Sequence, residues 1–258
     1  MDDDQLAGVL EETAKAVRGA LDRLAPEDWR RPGTRPGQYH LDLVADAAAL
    51  EVLHGAGLGV FSEESGASGP DGRPVVVVDP VDGSTNASVG FPWFATSLCV
   101  LDEDGPRVAL VVNQVLGTRY EARRGRGATR DGRPIAVSGR TELDRAVIGV
   151  SGLPHGRPPW WQTRALGSAA LDLCLVAEGV LDGFSVGATS SLRAWDYLGA
   201  LLVCREAGAV VWEADARELV VVSDSPRRVV AAGSTAVAER LLGVLNSGVP
   251  DTRASVAP

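Results

Sequence analysis

Two carboxylates and a turn rich in hydroxyl groups stand together at residues 79–86, which read Asp-Pro-Val-Asp-Gly-Ser-Thr-Asn. Asp79 and Asp82 are three residues apart, and the glycine after Asp82 lets the chain turn sharply and expose backbone N–H groups. Mg²⁺ prefers carboxylate oxygens, and N–H groups at the start of a helix bind phosphate. The segment therefore predicts a divalent-metal site beside a phosphate site, the combination that a metal-dependent phosphatase requires.

The element that must hold this segment is the valine run at residues 75–78. Consecutive β-branched residues are typical of a strand that is buried on both faces, and Pro80 is expected to end regular pairing. Ser84 or Thr85 would cap the N-terminus of a helix that follows. We therefore expect both aspartates at the end of a rigid strand, next to the start of a helix.

More acidic residues are needed, because two carboxylates seldom complete a site for two Mg²⁺ ions. Asp196 begins an apolar helix predicted over 194–208, and Glu63 follows a short strand predicted over 58–61. Each acid also has an ordinary interpretation. Asp196 could simply be favoured by the helix dipole, and Glu63 could be a solvated residue at the start of a loop.

The charge of the chain narrows the class of partner. The 258 residues carry a net charge of −9, which argues against nucleic acid or an anionic membrane as the main partner, because both favour clustered Lys and Arg. An acidic protein can still bind phosphorylated molecules when metal cations provide the attraction. The charge is therefore consistent with a metal-dependent enzyme that acts on a small phosphorylated metabolite.

The cysteines and the N-terminus indicate the compartment. The three cysteines are far apart in apolar runs and match neither a zinc site nor a disulfide framework: Cys99, Cys174 and Cys204. The N-terminus, Met-Asp-Asp-Asp, lacks the basic start of a signal peptide, and no apolar run reaches the ~18 residues of a membrane span. These features predict a cytoplasmic protein.

Hydrophobic periodicity and turn residues divide the chain into helices and strands. Helices are predicted over residues 5–24, 42–53, 168–179, 194–208 and 236–245. Strands are predicted over residues 58–61, 75–78, 94–101, 108–115, 120–122, 135–137, 146–151, 183–186, 210–212, 219–222 and 229–232. Residues 1–145 are expected to form an N-terminal α+β half with the Asp-Pro-Val-Asp-Gly-Ser motif, residues 146–246 a C-terminal α/β half that contributes Asp196, and residues 247–258 a disordered tail.

A basic loop is predicted over residues 30–38, which read Arg-Arg-Pro-Gly-Thr-Arg-Pro-Gly-Gln. Its proline and glycine residues disfavour helix and strand. Its arginines form a basic island in an acidic chain, so the segment is either a solvated loop or a flap over an anionic substrate.

Three separated segments together resemble the signatures of the inositol monophosphatase family, part of the lithium-sensitive, Mg²⁺-dependent sugar phosphatase superfamily. Residues 79–86 resemble its Asp-Pro-Ile/Leu-Asp-Gly-Thr-Thr-Asn, and residues 62–65 its Gly-Glu-Glu-Ser. Residues 195–208 resemble its Trp-Asp-x-Ala-Ala-Gly…Glu-Ala-Gly-Gly signature. The resemblance covers about residues 42–232. It implies a layered αβαβα sandwich, with the metal site between the two halves, and a Mg²⁺-dependent phosphomonoesterase that hydrolyses its substrate with metal-activated water.

The resemblance also implies a role for each acidic residue. Glu63, Asp79 and the carbonyl of Val81 would hold one Mg²⁺ ion, and Asp79, Asp82 and Asp196 would hold a second. A third ion near Glu63 is an open alternative. Removal of Asp79, which would contact both ions, should abolish turnover.

The resemblance places the nucleophile and the phosphate at the turn after Asp82. Ser84 stands where the family has threonine, and its hydroxyl, together with Glu63, would orient the attacking water. The N–H groups of Gly83, Ser84 and Thr85 would bind the phosphate. Gly167 and Ser168, in a further segment that follows a family pattern, are predicted to contribute to substrate binding.

Two departures from the family pattern affect these roles. The family has Asp-Leu-Val-Thr and, two residues later, an aspartate that supports the nucleophile-orienting hydroxyl. Here Asp42-Leu-Val-Ala is followed directly by Asp46, so we predict Asp46 in this role in a shifted register, with Asp42 as the alternative. The family lysine before this segment is replaced by Gly37, and Arg31 or Arg35 could compensate for its loss.

The substrate is the least defined part of the prediction. The acidic residue that binds inositol hydroxyls has no clear counterpart in residues 184–194, which instead carry Arg193, either a substrate-binding residue or a surface residue. Inositol monophosphate is the default substrate, and histidinol phosphate, fructose 1,6-bisphosphate and 3′-phosphoadenosine 5′-phosphate remain alternatives on the same scaffold. A non-catalytic relative that binds phosphorylated ligands is the alternative from another class. Because family members are commonly homodimers, a homodimer is also expected.

Overall fold

Within the residues that the structure describes, two β-sheets of different size form the framework of the protein. The computed structural model describes residues 1–72, 74–152, 154, 157–187 and 189–247. The larger sheet has the strand order β2-β1-β3-β4-β5-β6-β7-β8 and is antiparallel except where β1 pairs with β3. Its strands are β1 Gly59–Ser62, β2 Gly66–Ser68, β3 Val75–Asp82, β4 Ala95–Asp102, β5 Gly105–Asn113, β6 Arg119–Arg123, β7 Ala128–Arg130 and β8 Arg133–Pro134.

The smaller sheet has the order β10-β9-β11-β13-β12. Its strands are β9 Val147–Ser151, β10 Gln162–Arg164, β11 Gly183–Val186, β12 Val210–Glu213 and β13 Val229–Ala232. β9 lies parallel to both of its neighbours, whereas β13 is antiparallel to both of its own. The strands of the larger sheet lie within residues 59–134 and those of the smaller sheet within residues 147–232. The predicted boundary between an N-terminal and a C-terminal half, between residues 145 and 146, stays a prediction.

Six α-helices in the described part of the chain complete the architecture. They are α1 Asp3–Leu21, α2 His40–Gly55, α3 Ser84–Val89, α4 Ala169–Ala177, α5 Ala194–Glu206 and α6 Thr235–Ser247, with short 3₁₀ helices at Pro26–Arg30 and Leu143–Arg145. α1 and α2 pack on one face of the larger sheet, α4 and α5 lie between the sheets, and α6 packs on the outer face of the smaller sheet. The predicted αβαβα sandwich is therefore confirmed.

Local signals explain where helices begin and end. Asp2 accepts a hydrogen bond from the Gln5 N–H at 2.8 Å, and the Gln5 side chain accepts one from the Asp2 N–H at 2.9 Å, which satisfies the start of α1 as a capping box. Gly208 follows the end of α5 with φ of +90°, a backbone conformation that glycine adopts without strain.

The valine run in β3 belongs to two different cores. Val76 and Val78 pack in the core beneath α1 and α2, whereas Val77 packs in the core that contains α4 and α5. Successive side chains in a strand point to opposite faces, so the run places apolar groups on both sides of the sheet. This arrangement explains why the segment is valine at every position.

Two predicted strands are wrong. Residues 135–137 do not form a strand: the N–H of Ile135 still donates to the carbonyl of Ala128 in β7, but the N–H of Val137 donates to the carbonyl of Ala207 after α5. Residues 219–222 bond locally, with the Val221 N–H donating to the carbonyl of Leu219, which also accepts the Tyr197 hydroxyl. Conversely, the short strands β2 and β10 were not predicted.

The remaining expectations concern the termini and the cysteines. Ser247 ends α6, and the rest of the predicted disordered tail, residues 248–258, lies outside the described residues. The three cysteines are buried and free. Among the helices of the described chain, none is both long and apolar enough to cross a lipid bilayer.

Candidate active site

Three carboxylates from separate elements meet at one point. Glu63 follows β1, Asp79 lies within β3, and Asp196 is in the first turn of α5. One carboxylate oxygen from each lies within 4.8 Å of the others. Within the described residues, no Lys or Arg side chain forms a salt bridge with any of the three. Arg193 lowers the pKa of Asp196 through its charge, but among the described residues no salt bridge balances the negative charge of the three acids.

β3 carries its two aspartates through a bulge. Asp79 pairs with Ser97 and Asp82 with Ala95, so three steps along β3 face two steps along β4. The carbonyl of Pro80 accepts a hydrogen bond from the Thr96 hydroxyl at 2.8 Å. Regular pairing therefore breaks at Pro80, as predicted, but β3 continues through the bulge to Asp82. A proline at a bulge is tolerated because no ladder N–H is needed there.

Backbone contacts hold the other two acids. The N–H of Glu63 donates to the carbonyl of Val78 at 3.1 Å and extends the parallel pairing of β1 with β3. The Asp196 carboxylate accepts the N–H of Arg193 at 2.6 Å, as a residue in the first turn of a helix can. The rings of Phe61 and Trp195 lie 5.4 Å apart and join β1 to α5. The site thus spans the larger sheet and the helical layer.

The electrostatics of the cluster follow from burial and from like charges. Burial, with the carboxylates of Asp196 and Glu64 next in size, raises the pKa of Glu63 to about 8. Burial, with Glu63 and Asp82, raises the pKa of Asp79 well above its ordinary value. Burial, with Asp82, raises the pKa of Asp196 to about 7. Hard oxygen ligands at this density fit a divalent cation, which would replace the repulsion by attraction.

Asp82 is held separately, by the N-terminus of α4. Its Oδ2 accepts hydrogen bonds from the Ser168 hydroxyl at 2.5 Å and the Ala170 N–H at 2.7 Å, and its Oδ1 accepts the Ala169 N–H at 3.3 Å. Burial raises the pKa of Asp82 to about 6, and these hydrogen bonds oppose the rise. Asp82 is therefore adjacent to the three-carboxylate cluster but outside it, with its own set of donors.

Ser168 and Gly167 have different surroundings from those predicted. Ser168 is buried with its hydroxyl on Asp82, so it serves the carboxylate instead of lining the open cleft. Gly167 has φ of +90°, and an added Cβ atom would lie 2.9 Å from Nδ2 of Asn86. These contacts pack the segment before α4 against α3.

The turn after Asp82 begins α3 in an unexpected way. Gly83 is the N-cap, with a left-handed φ of 95°, and neither Ser84 nor Thr85 caps the helix as predicted. Ser84 and Thr85 are instead the first two helical residues, whose N–H groups have no partner within a helix. An added Cβ on Gly83 would lie 3.0 Å from the carbonyl oxygen of Gly167, so only glycine fits the turn.

The predicted role of Asp46 beside Ser84 is wrong, because Asp42 is the nearby acid. The Ser84 hydroxyl lies close enough to lower the pKa of Asp42, although burial dominates and raises that pKa to about 7. The Asp42 Oδ2 accepts the Tyr39 N–H at 2.8 Å, while its buried Oδ1 accepts no hydrogen bond from the described residues. Asp46 lies one turn further along α2 and accepts the Ser62 hydroxyl at 2.5 Å.

An open cleft of about 470 Å³ lies over these residues. Asp42, Glu63, Ser84 and Trp195 line it, with Arg35, Arg193 and Asp224 also at its wall. A volume of this size is typical of sites for small metabolites. Asp224 was not predicted, because its position in an exposed loop gives no sequence signal.

The basic loop lies against the same cleft. Arg35 forms a salt bridge with Glu64 at 2.5 Å, and the Gln38 side-chain amide also donates to Glu64. Arg31 instead pairs with Asp28, and Arg30 donates to the carbonyl of Ser88. Of the arginines considered as replacements for the family lysine, only Arg35 lines the cleft.

Comparison with known proteins agrees with this geometry. The sequence model described as "Inositol monophosphatase family" matches residues 41–249. An inositol-1-monophosphatase from Mesorhizobium japonicum is 38% identical over 228 residues, which cover 80% of this chain and 82% of that protein. A fructose-1,6-bisphosphatase/inositol-1-monophosphatase from Archaeoglobus fulgidus is 37% identical over 183 residues, which cover 69% and 71%.

The fold also matches a solved structure. The crystal structure of the extragenic suppressor protein suhB from Bartonella henselae superimposes with a TM-score of 0.81 and 26% identity. The match covers 95% of this chain and all of that one. Sequence and fold thus point to the same group of proteins.

Proposed function

This chain belongs to the inositol monophosphatase family, and we propose that it is a Mg²⁺-dependent phosphomonoesterase with inositol monophosphate as its first candidate substrate. The observation that carries the proposal is the meeting of Glu63, Asp79 and Asp196 within 4.8 Å. These residues come from three signatures far apart in the sequence. Burial of three carboxylates so close together costs free energy unless a cation balances their charge, and the same oxygen atoms could bind that cation.

The residues that would hold the metal follow from the site. Glu63, Asp79 and the carbonyl of Val81 would bind one Mg²⁺, and Asp79, Asp82 and Asp196 a second; a third ion near Glu63 stays an open alternative. Bound Mg²⁺ would supply electrostatic stabilisation to the phosphoryl group as its charge is redistributed. Asp79 is common to both sets, so its removal should be the most damaging change.

The chain's own groups would orient the nucleophile and the phosphate. The Ser84 hydroxyl lies beside Asp42 and lines the cleft with Glu63. We propose that Ser84 and Glu63 orient the attacking water, and that Asp42 takes the supporting role first predicted for Asp46. The N–H groups of Gly83, Ser84 and Thr85 would bind the phosphate, since they lie at the start of α3.

Asp46 has a different task in this proposal. Its carboxylate accepts the Ser62 hydroxyl, and that oxygen in turn accepts the Glu64 N–H at 3.3 Å. Asp46 would therefore stabilise the end of β1, which carries Glu63, without touching the reacting groups.

A bisphosphate such as fructose 1,6-bisphosphate is the second candidate substrate. Arg193 lines the cleft, and its guanidinium forms no salt bridge with the described residues, although it donates to the Ser191 hydroxyl at 3.0 Å. Arg193 lowers the pKa of Asp196 through its charge. A guanidinium that forms no salt bridge within the described residues is suited to a second anionic group on the substrate. The relative from Archaeoglobus fulgidus is named for both activities.

A substrate panel tests the proposal. Phosphate release would be measured from p-nitrophenyl phosphate, inositol 1-phosphate, fructose 1,6-bisphosphate, histidinol phosphate and 3′-phosphoadenosine 5′-phosphate, with Mg²⁺ and with a chelator. We expect Mg²⁺-dependent release from at least one metabolite, and its loss in D79N. Release from none of them by a folded protein that binds phosphorylated ligands would favour the non-catalytic alternative.

Two further expectations concern the location of the protein in the cell and its oligomeric state. A cytoplasmic location is supported by the buried, free cysteines. A homodimer is expected from the family alone. Subcellular fractionation and light scattering would test them.

A further inference from the structure

One buried carboxylate has no part in the proposed chemistry. Asp172 lies in the first turn of α4 and is only 2% exposed. No Lys or Arg of the described chain forms a salt bridge with it. Burial raises its pKa to about 7, and hydrogen bonding from the Trp93 indole and the Leu166 amide opposes the rise. Burial of a carboxyl group costs free energy unless hydrogen bonds compensate for the lost water, so the contacts of Asp172 need an explanation.

Those contacts connect α4 to the segment between α3 and β4. Trp93 Nε1 donates to Oδ1 of Asp172 at 2.8 Å. Asn86 in α3 donates through Nδ2 to the carbonyls of Trp93 at 2.7 Å and Leu166 at 2.8 Å. Asn86, Trp93, Leu166 and Asp172 thus form a connected set of contacts, which we call the α3–α4 network.

The α3–α4 network lies directly behind the proposed site. Leu166 is two residues before Ser168, whose hydroxyl is bonded to Asp82. An added Cβ on Gly83 would lie 3.1 Å from the Trp93 carbonyl oxygen and 3.0 Å from that of Gly167. The network therefore contacts both the turn proposed for phosphate and the residues that hold Asp82.

We propose that Asp172 and Trp93 are positioning residues that fix the start of α4 against the Gly83 turn, so that α4 holds Asp82 where it strengthens divalent-cation binding. The proposal rests on the proposed function for the role of Asp82. Groups that orient metal ligands without touching the metal commonly change metal affinity 10–100-fold when they are removed. Neither residue contacts the reacting atoms.

The test measures metal binding without turnover. Mn²⁺ binding to the full chain would be followed by electron paramagnetic resonance and Mg²⁺ binding by calorimetry, for the wild type and for D172L and W93F. D172L removes the acceptor and W93F removes the indole N–H. We expect the dissociation constant to rise about 10-fold in D172L and several-fold in W93F, by analogy with other supporting residues.

A matched control separates positioning from stability. Asp182 is also a buried acid; it accepts hydrogen bonds from the Ser138 hydroxyl and the Val147 N–H at the smaller sheet and, unlike Asp172, forms a salt bridge with Arg140. D182L should lower the melting temperature but leave the metal dissociation constant within about twofold of the wild type. D172N keeps one acceptor oxygen for the Trp93 indole and should recover most of the affinity lost in D172L.

The kinetic readout should agree with the binding data. In D172L and W93F the Mg²⁺ concentration for half-maximal phosphate release should rise, whereas kcat at saturating Mg²⁺ should stay within about threefold of the wild type, because no reacting group changes. If D172L does not fold, W93F, which removes the indole N–H that donates to Asp172, tests the proposal.

Two results would overturn the proposal. One is unchanged metal affinity in folded W93F and, where D172L folds, in D172L as well; the other is an equal loss of affinity in D182L. Failure of the proposed function would look different. In that case the wild type would release no phosphate, but a weaker metal affinity in D172L would still support the positioning role.

Discussion

Asp79 and Asp82 are both buried and only three residues apart, but the groups that surround their carboxylates differ. Asp79, in the bulge of β3, accepts the Val81 N–H at 3.0 Å and is surrounded by other carboxylates. Asp82 accepts three hydrogen bonds from the start of α4. Hydrogen-bond donors, more than burial, decide how strongly each acid depends on a cation. Asp79, on the strand side of the site, would therefore depend on a bound cation, whereas Asp82, on the helix side formed by the start of α4, already has hydrogen-bond donors.

The largest expected effect is that of D79N. Loss of the acid shared by both proposed metal sets should reduce Mg²⁺-dependent phosphate release at least 1,000-fold, since electrostatic stabilisation is usually the largest catalytic contribution. Removal of one buried negative charge should also raise the melting temperature of the metal-free protein. D82N should reduce activity less and should not raise that melting temperature, because Asp82 already has its donors. Equal behaviour of the two variants would contradict the distinction between the strand side and the helix side.

Substitution of two serines, Ser84 and Ser168, tests the same distinction between the strand side and the helix side. S84A removes the hydroxyl beside Asp42 and should lower kcat about 100-fold, in the range usual for groups that assist proton transfer. S84T keeps the hydroxyl and should retain activity. S168A removes only a donor to Asp82 and should change the Mg²⁺ requirement a few-fold, with little effect on kcat. Steady-state kinetics over a range of Mg²⁺ concentrations would distinguish these outcomes.

Substitution of Arg193, the residue before α5, tests whether the cleft binds a second anionic group of the substrate. R193Q should raise the KM for fructose 1,6-bisphosphate about 10-fold, because a charge-assisted hydrogen bond contributes about 1.5–3 kcal/mol. The KM for p-nitrophenyl phosphate, which has no second anionic group, should change less than twofold. Arg31 pairs with Asp28 away from the cleft, so R31Q is the matched control. A similar rise for both substrates would mean that Arg193 acts through Asp196 and not through the substrate.

The smallest expected effect is a pH dependence of stability in the metal-free protein. The pKa values of Glu63 and Asp196 are raised to about 8 and about 7, so the folded state binds more protons than the unfolded state between about pH 4 and pH 8. Stability should therefore fall as pH rises through this window. Calorimetry with a chelator should give a higher melting temperature at pH 5.5 than at pH 8, and Mg²⁺ should raise it more at pH 8.

Glu213 provides an internal reference for that experiment. Burial would raise its pKa, but hydrogen bonds from Arg217 and Arg228 lower it to about 2. Its contribution to stability is present above its unfolded pKa of about 4 and is lost only as pH falls towards 2. E213Q should therefore leave the slope between pH 5.5 and pH 8 unchanged, whereas E63Q should reduce it.

The sequence was a good guide where the information is local or repeated. The valine run predicted a buried strand, and three separated acidic signatures together predicted a shared site. The register of α2 relative to α3 was harder to predict. Asp42 and Asp46 lie on the same face of α2, and only the position of the helix start relative to α3 decides which of them lies beside Ser84.

Contacts between distant residues could not be predicted. Trp93 and Asp172 are 79 positions apart, and neither carries a motif. The apolar segment at residues 219–222 has the composition of a strand, but its backbone bonds locally over the α5 core. Pro80 was expected to end regular pairing, which it does, but the continuation of β3 to Asp82 could not be predicted, because a bulge depends on the partner strand.

The placement of β3 between two cores has a consequence for local opening of the molecule. Val77 cannot separate from one layer, nor Val76 and Val78 from the other, without exposing apolar surface on both sides of the sheet. The amides of this strand should therefore exchange with deuterium only when the whole chain unfolds, at the slowest rate in the protein. The ends of α1, which contact one core alone, should exchange much earlier. The carboxylates of Asp79 and Asp82 are thus attached to the part of the backbone that is the last to open.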